Sequence, residues 1–170
     1  MRNRALCGVV FVLALAAAGA AQMKSPAEAG FERLKTLQGD WIDVDGIFGE
    51  KGKVAVTYRV TGAGNTIVET FPVGTPFEMM TVYHKDGAGL ALTHFCSGGT
   101  QPRMTSKGIE SNALVFDFAG GTNIDPNTTS HMHSARLDFI SADEFKATWQ
   151  NWKDGKPDGP AHGFRIVRKK

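Results

Sequence analysis

The chain has 170 residues, 42% of them hydrophobic, with 19 Lys plus Arg against 17 Asp plus Glu. Removal of the first 21 residues takes away Arg2 and Arg4 and leaves 17 basic against 17 acidic side chains. That balance excludes the basic footprint that nucleic acid or an anionic lipid surface requires.

The opening stretch has two arginines, an apolar run from Ala5 to Ala18 and then small residues, which is the pattern of a secretory signal peptide. Cleavage is expected near Ala20, Ala21 or Gln22, and the product is an exported protein, periplasmic or secreted. The apolar run is shorter than the ~20 residues of a spanning helix, so no membrane insertion is expected after cleavage. A lipoprotein anchor would need a cysteine at the end of the run, whereas Cys7 lies near its beginning. Loss of Cys7 leaves Cys96 with no intramolecular partner. Residues 22–170 are then expected to form a single domain, large enough to need no disulfide staples.

"SPAEAGFERLKTLQGDW" predicts a helix of about three turns. Ser25 is placed to cap it, Pro26 suits the first helical position, and Glu28 completes a capping box. Ala27, Phe31 and Leu34 recur on one face, with Leu37 or Gln38 following, and Gly39 offers a stop.

Beyond Gly39 the hydrophobic period falls to two. In "KVAVTYRV", Val54, Val56, Tyr58 and Val60 alternate with Lys53, Thr57 and Arg59, as a half-buried strand requires. "DWIDV", "NTIVETF", "FEMMTVYH", "LALTHFC", "PRMTSKG", "ALVFDFA", "HMHSARLDFI", "EFKATWQNW" and "HGFRIVRKK" behave similarly, giving about ten strands. Short turns such as "TGAGN", "KDGAG" and "SAD" join them, so consecutive strands should be antiparallel neighbours. Closure into an up-and-down antiparallel β-barrel removes the open edges that such a sheet would expose. A two-sheet sandwich is the rival, and only Gly120 to Ser130 is long enough for its crossover.

Two features carry a family resemblance: the helix leading into Gly39-Asp40-Trp41 on the first strand, and a basic residue on the last strand, Arg165 or Arg168. The chain resembles the calycin group, the lipocalins and the lipocalin-like domains of exported bacterial proteins. The resemblance implies that Trp41 closes one barrel end with an arginine packed across it, so Gly39, Trp41 and Arg165 are expected to be structural. The stretch from Glu78 to Met104 is similar to a segment of bacterial members of this group, and brings no activity with it.

Alternation also nominates a lining. Leu90, Leu92, His94 and Cys96 share one face of their strand, and His131, His133, Ala135, Leu137 and Phe139 share one face of theirs. In "FEMMTVYH" the two faces cannot be separated, which leaves Glu78 and His84 open. One reading is a small-molecule pocket with walls from Leu92, Val115, Leu137 and Phe139 and polar groups from His94, Cys96, Arg103, His131, His133 and Glu78. Its ligand would be hydrophobic or amphipathic, with Arg103 suited to a carboxylate.

A second reading is a metal site on His131 and His133 with His94 as third ligand, or a haem held by one axial histidine with Met79, Met80 or Met104 as a soft contact. The third is a filled barrel in which these groups form a satisfied network, His94 bonding Gln101 or Arg103 in the next strand and His131 and His133 bonding near the long loop. The sequence specifies no cofactor and no oligomeric state. Cys96 beside His94 has the types of a nucleophile and base but no third group to orient the base. Glu69 and Glu78, a possible carboxylate pair, read as solvated or salt-bridged, and no hydrolase elbow or phosphate loop is present.

Overall fold

The computed structural model describes residues 23–47 and 51–170; the expected signal peptide lies outside them. Helix α1 (Pro26–Lys35) precedes twelve strands, β1 (Gly39–Asp43), β2 (Val54–Thr61), β3 (Thr66–Phe71), β4 (Met79–Asp86), β5 (Gly89–Phe95), β6 (Gln101–Ser106), β7 (Ile109–Glu110), β8 (Ala113–Thr122), β9 (His131–Phe139), β10 (Glu144–Lys153), β11 (Lys156–Pro157) and β12 (His162–Arg168). Ten of them close an antiparallel barrel in the order β1, β2, β3, β4, β5, β6, β8, β9, β10, β12, with β12 pairing back onto β1. The two-residue strands β7 and β11 only extend β8 and β10. Residues 123–130 simply link β8 to its neighbour β9, so the topology is up-and-down and the sandwich is excluded.

The helix begins as its sequence predicts. Ser25 Oγ accepts from the Glu28 N–H at 3.2 Å and Glu28 Oε2 accepts from the Ser25 N–H at 2.9 Å, a reciprocal cap that satisfies two otherwise orphaned donors. Its end differs from expectation: Thr36 is the C-cap, ahead of Gly39. Leu37 then turns into the core from outside the helix, and Gly39 opens β1 at φ 120°, facing the Arg168 guanidinium. A side chain would be strained in that left-handed backbone.

Because every barrel strand reverses its predecessor, all strands have one end at α1 and the other at the loops 72–78, 96–100, 123–130 and 154–161. We call these ends the base and the mouth. Phe31 and Leu34 of α1 are buried against the base, where Gly108 is obligatory: a Cβ there would lie 2.2 Å from the Pro26 carbonyl carbon.

Trp41 is fully buried at the base, donates from Nε1 to the Leu37 carbonyl at 2.6 Å, and meets Phe145 edge-on at 5.0 Å. The arginine across it is Arg168, whose guanidinium lies 4.3 Å from the ring centroid. Arg168 also donates to the carbonyls of Thr36 and Gln38 and bonds Asp143. The expectation for Arg165 is corrected, since it is exposed and pairs with Glu144 at 3.3 Å. The reason is register: Trp41 stands opposite Arg168, and Arg165 has the other parity.

Candidate functional site

Three neighbouring strands build the polar part of the mouth. Glu69 on β3, Thr81 on β4 and His94 on β5 are successive partners across the sheet, and all three are buried. Alternation aims them inward, because Ile67, Glu69 and Phe71 share the buried face of β3 while Met79, Thr81 and Tyr83 form the inner face of β4. The two faces of β4 are thereby separated. Glu78 lies outside the strand, exposed, accepting from the Gly74 N–H at 2.7 Å, and His84 bonds the Lys85 carbonyl.

His94 is 5% exposed and packs against Trp149 with ring centroids 5.0 Å apart. Its Nδ1 is 2.9 Å from Thr81 Oγ1, so its partner is on β4, and neither Gln101 nor Arg103 bonds it. Burial pulls its pKa down to about 4, which leaves the ring neutral at neutral pH. Nε2 is buried and has no protein partner. Whichever tautomer the Thr81 bond selects, Nε2 keeps one hydrogen-bonding function unused.

Glu69 is 6% exposed, and Oε2 accepts from the Tyr83 hydroxyl at 2.5 Å. Burial raises its pKa, opposed by hydrogen bonds from Tyr83 and Tyr58. The same burial and the neighbouring carboxylate push both tyrosines well above their ordinary value. The reading of Glu69 as solvated or salt-bridged is corrected, and with Glu78 on an exposed loop the two acids form no pair.

Glu69 and His94 border a cavity of about 290 Å³ at the mouth. Its other walls are mainly apolar: Phe71 and Met79 on one side, Met132, Trp149 and Phe164 on the other, with Ile47 and the exposed His162 at the rim. Phe71 and Phe164 stack at 5.1 Å with nearly parallel rings. A larger groove of about 810 Å³ crosses the outer wall by Lys107, Asp117 and Arg136. Those charged residues are exposed, and the one unpartnered buried side-chain atom among the described residues belongs to the mouth.

The other predicted site residues disperse. Arg103 faces outward and pairs with Asp86 at 2.6 Å, because the buried face of β6 is Pro102, Met104 and Ser106. Cys96 sits half-buried in the turn after β5, with Sγ accepting from the Gly98 N–H at 3.5 Å. Leu92 is buried, Val115 lies on the exposed face of β8, and Leu137 and Phe139 lie toward the base on β9.

His131 and His133 turn to each other, Nε2 to Nδ1 at 3.0 Å, while His131 Nδ1 bonds the Thr129 carbonyl. His133 stacks on Trp152 at 3.8 Å and on Phe118 at 4.8 Å. The two histidines and His94 therefore do not converge, and no described group of three or more His, Cys, Asp or Glu is placed to hold a metal. The cause is a bulge: Gln150 pairs with Ser134 but Asn151 with Met132, so His133 is the extra residue. The bulge resets the alternation, and Met132 takes the cavity position.

Comparison with protein-family models and with curated proteins gives no match. Fold and site together define a closed ten-stranded antiparallel barrel, plugged by a helix at its base and carrying an apolar, polar-floored cavity at its mouth.

Proposed function

We propose that the chain is an exported, lipocalin-like barrel that holds a small hydrophobic or amphipathic molecule in its mouth. The observation that carries this reading is His94 Nε2, buried and unpartnered beside a cavity with apolar walls. Leaving such an atom unsatisfied costs roughly 1 to 3 kcal/mol, a cost that a ligand hydrogen bond removes. A few fixed polar groups in an apolar concavity are the usual make-up of a small-molecule site. The helix-plugged base, with Arg168 over Trp41, supports the lipocalin-like assignment, and the signal-like first 21 residues support export.

The test is a titration with N-phenyl-1-naphthylamine, followed by energy transfer from tryptophan to the probe. Saturable one-to-one binding is expected, with transfer reduced in Trp149→Phe, because Trp149 lines the cavity. Absence of saturation, or transfer indifferent to Trp149→Phe, contradicts the reading.

A further inference from the structure

The cavity has an electrostatic sign. No lysine or arginine is among its described lining residues. Its lining brings a carboxyl group from Glu69, the neutral imidazole of His94, the sulfurs of Met79 and Met132, aromatic rings including Trp149 and, at the exposed rim, the imidazole of His162. Carboxylate oxygens, thioether sulfurs and ring faces all present negative charge density.

Glu69 sharpens the point. It is one of two buried acids among the described residues, no salt bridge among those residues satisfies it, and its hydrogen bonds come from the Tyr83 and Tyr58 hydroxyls. Hydroxyl donors directed at a carboxyl group favour its ionised form, while burial without a counter-ion disfavours it. Burial outweighs the hydroxyls and raises the Glu69 pKa; a cation in the cavity supplies the counter-ion that shifts the group toward the carboxylate, since buried charges persist in proteins when paired.

Building on the pocket reading above, we propose that the ligand is a small organic cation, a protonated amine attached to an aromatic or compact aliphatic body. Its ammonium donates to Glu69. The body lies among Phe71, Met79, Met132, Trp149 and Phe164, where aromatic faces add cation–π attraction. His94 stands two strands from Glu69 across Thr81, about 10 Å along the wall by strand spacing, with both side chains directed inward. Its Nε2 pairs with a further polar hydrogen or lone pair of the ligand. A carboxylate ligand would meet Glu69 with no cation to compensate it.

Three probes of one shape separate the possibilities: 1-naphthylmethylamine, 1-naphthalenemethanol and 1-naphthoate, titrated calorimetrically at pH 7 into the protein and into Glu69→Gln. The amine is expected to bind at least about tenfold tighter than the alcohol, as a charge-assisted hydrogen bond allows, and the naphthoate weakest. Glu69→Gln, which retains the shape and an acceptor for the tyrosines, is expected to erase the preference for the amine over the alcohol. If the unmodified protein binds the alcohol or the naphthoate as tightly as the amine, the proposal is overturned and the pocket reading stands. Persistence of the amine preference in Glu69→Gln also overturns it. If no probe saturates, both fall. The three-probe ranking on the unmodified protein decides the matter even if Glu69→Gln fails to fold.

Discussion

Thr81 and His94 stand directly opposite each other on β4 and β5, and the hydroxyl holds Nδ1 at 2.9 Å, which leaves Nε2 as the ring's unused nitrogen. Thr81→Val keeps the shape and deletes the bond. It is expected to cost about 1 to 3 kcal/mol, the penalty of a second unsatisfied buried nitrogen, and to weaken probe binding by loosening the ring. Urea unfolding and the N-phenyl-1-naphthylamine titration measure the two effects.

The pH dependence of stability has a defined sign. His94 titrates near 6.5 unfolded and near 4 folded, so the unfolded chain takes up its proton first as pH falls. Stability attributable to His94 is full above pH 6.5 and is lost progressively toward pH 4, by roughly 3 kcal/mol in all. Glu69 acts oppositely: its raised folded pKa gives stability that is full below pH 4.5 and declines as pH rises toward the folded value. Unfolding midpoints in the Glu69→Gln background are expected to keep the His94 contribution to the slope, and Glu69→Gln,His94→Leu to make the slope shallower by that contribution.

At the base, Arg168→Ala removes several hydrogen bonds and the cation over Trp41, and a loss of about 2 kcal/mol is expected. Arg165→Ala, which breaks one exposed ion pair, is expected to change stability by less than about 0.5 kcal/mol. Chemical denaturation of the two variants side by side checks the assignment.

Gly108→Ala forces a Cβ into the Pro26 backbone at φ 120°. The clash involves backbone on both sides and has no side chain to give way, so a loss above about 3 kcal/mol is expected. Failure of the protein to accumulate, or a sharply lowered Tm, is the predicted outcome; a change within about 0.5 kcal/mol would show that α1 moves freely off the base.

Local signals in the sequence were sufficient for the architecture. Ser25, Pro26 and Glu28 mark the helix start by capping chemistry, and the period-two runs with short turns imply an antiparallel closed sheet. The site was legible only in part, for physical reasons. Alternation says which residues share a face without saying which face is inside, so Met79, Thr81 and Tyr83 could not be told from Met80, Val82 and His84 until β4 had neighbours. One extra residue at His133 reverses the phase of β9 and puts Met132 in the cavity. Glu69 lay on the same parity as Ile67 and Phe71, a usable signal, but an acid on a strand reads as solvated unless its tyrosine partners are known. Those partners come from β2 and β4, and the pairing register that brings them together is a property of the closed barrel.

The most direct measurement is imidazole nitrogen NMR on His94 during titration with 1-naphthylmethylamine and 1-naphthalenemethanol. The account predicts that the Nε2 resonance of His94 moves in step with binding, while that of His84 on the outer wall stays fixed. Saturable binding with His94 Nε2 unmoved, or no binding of either probe, would contradict it.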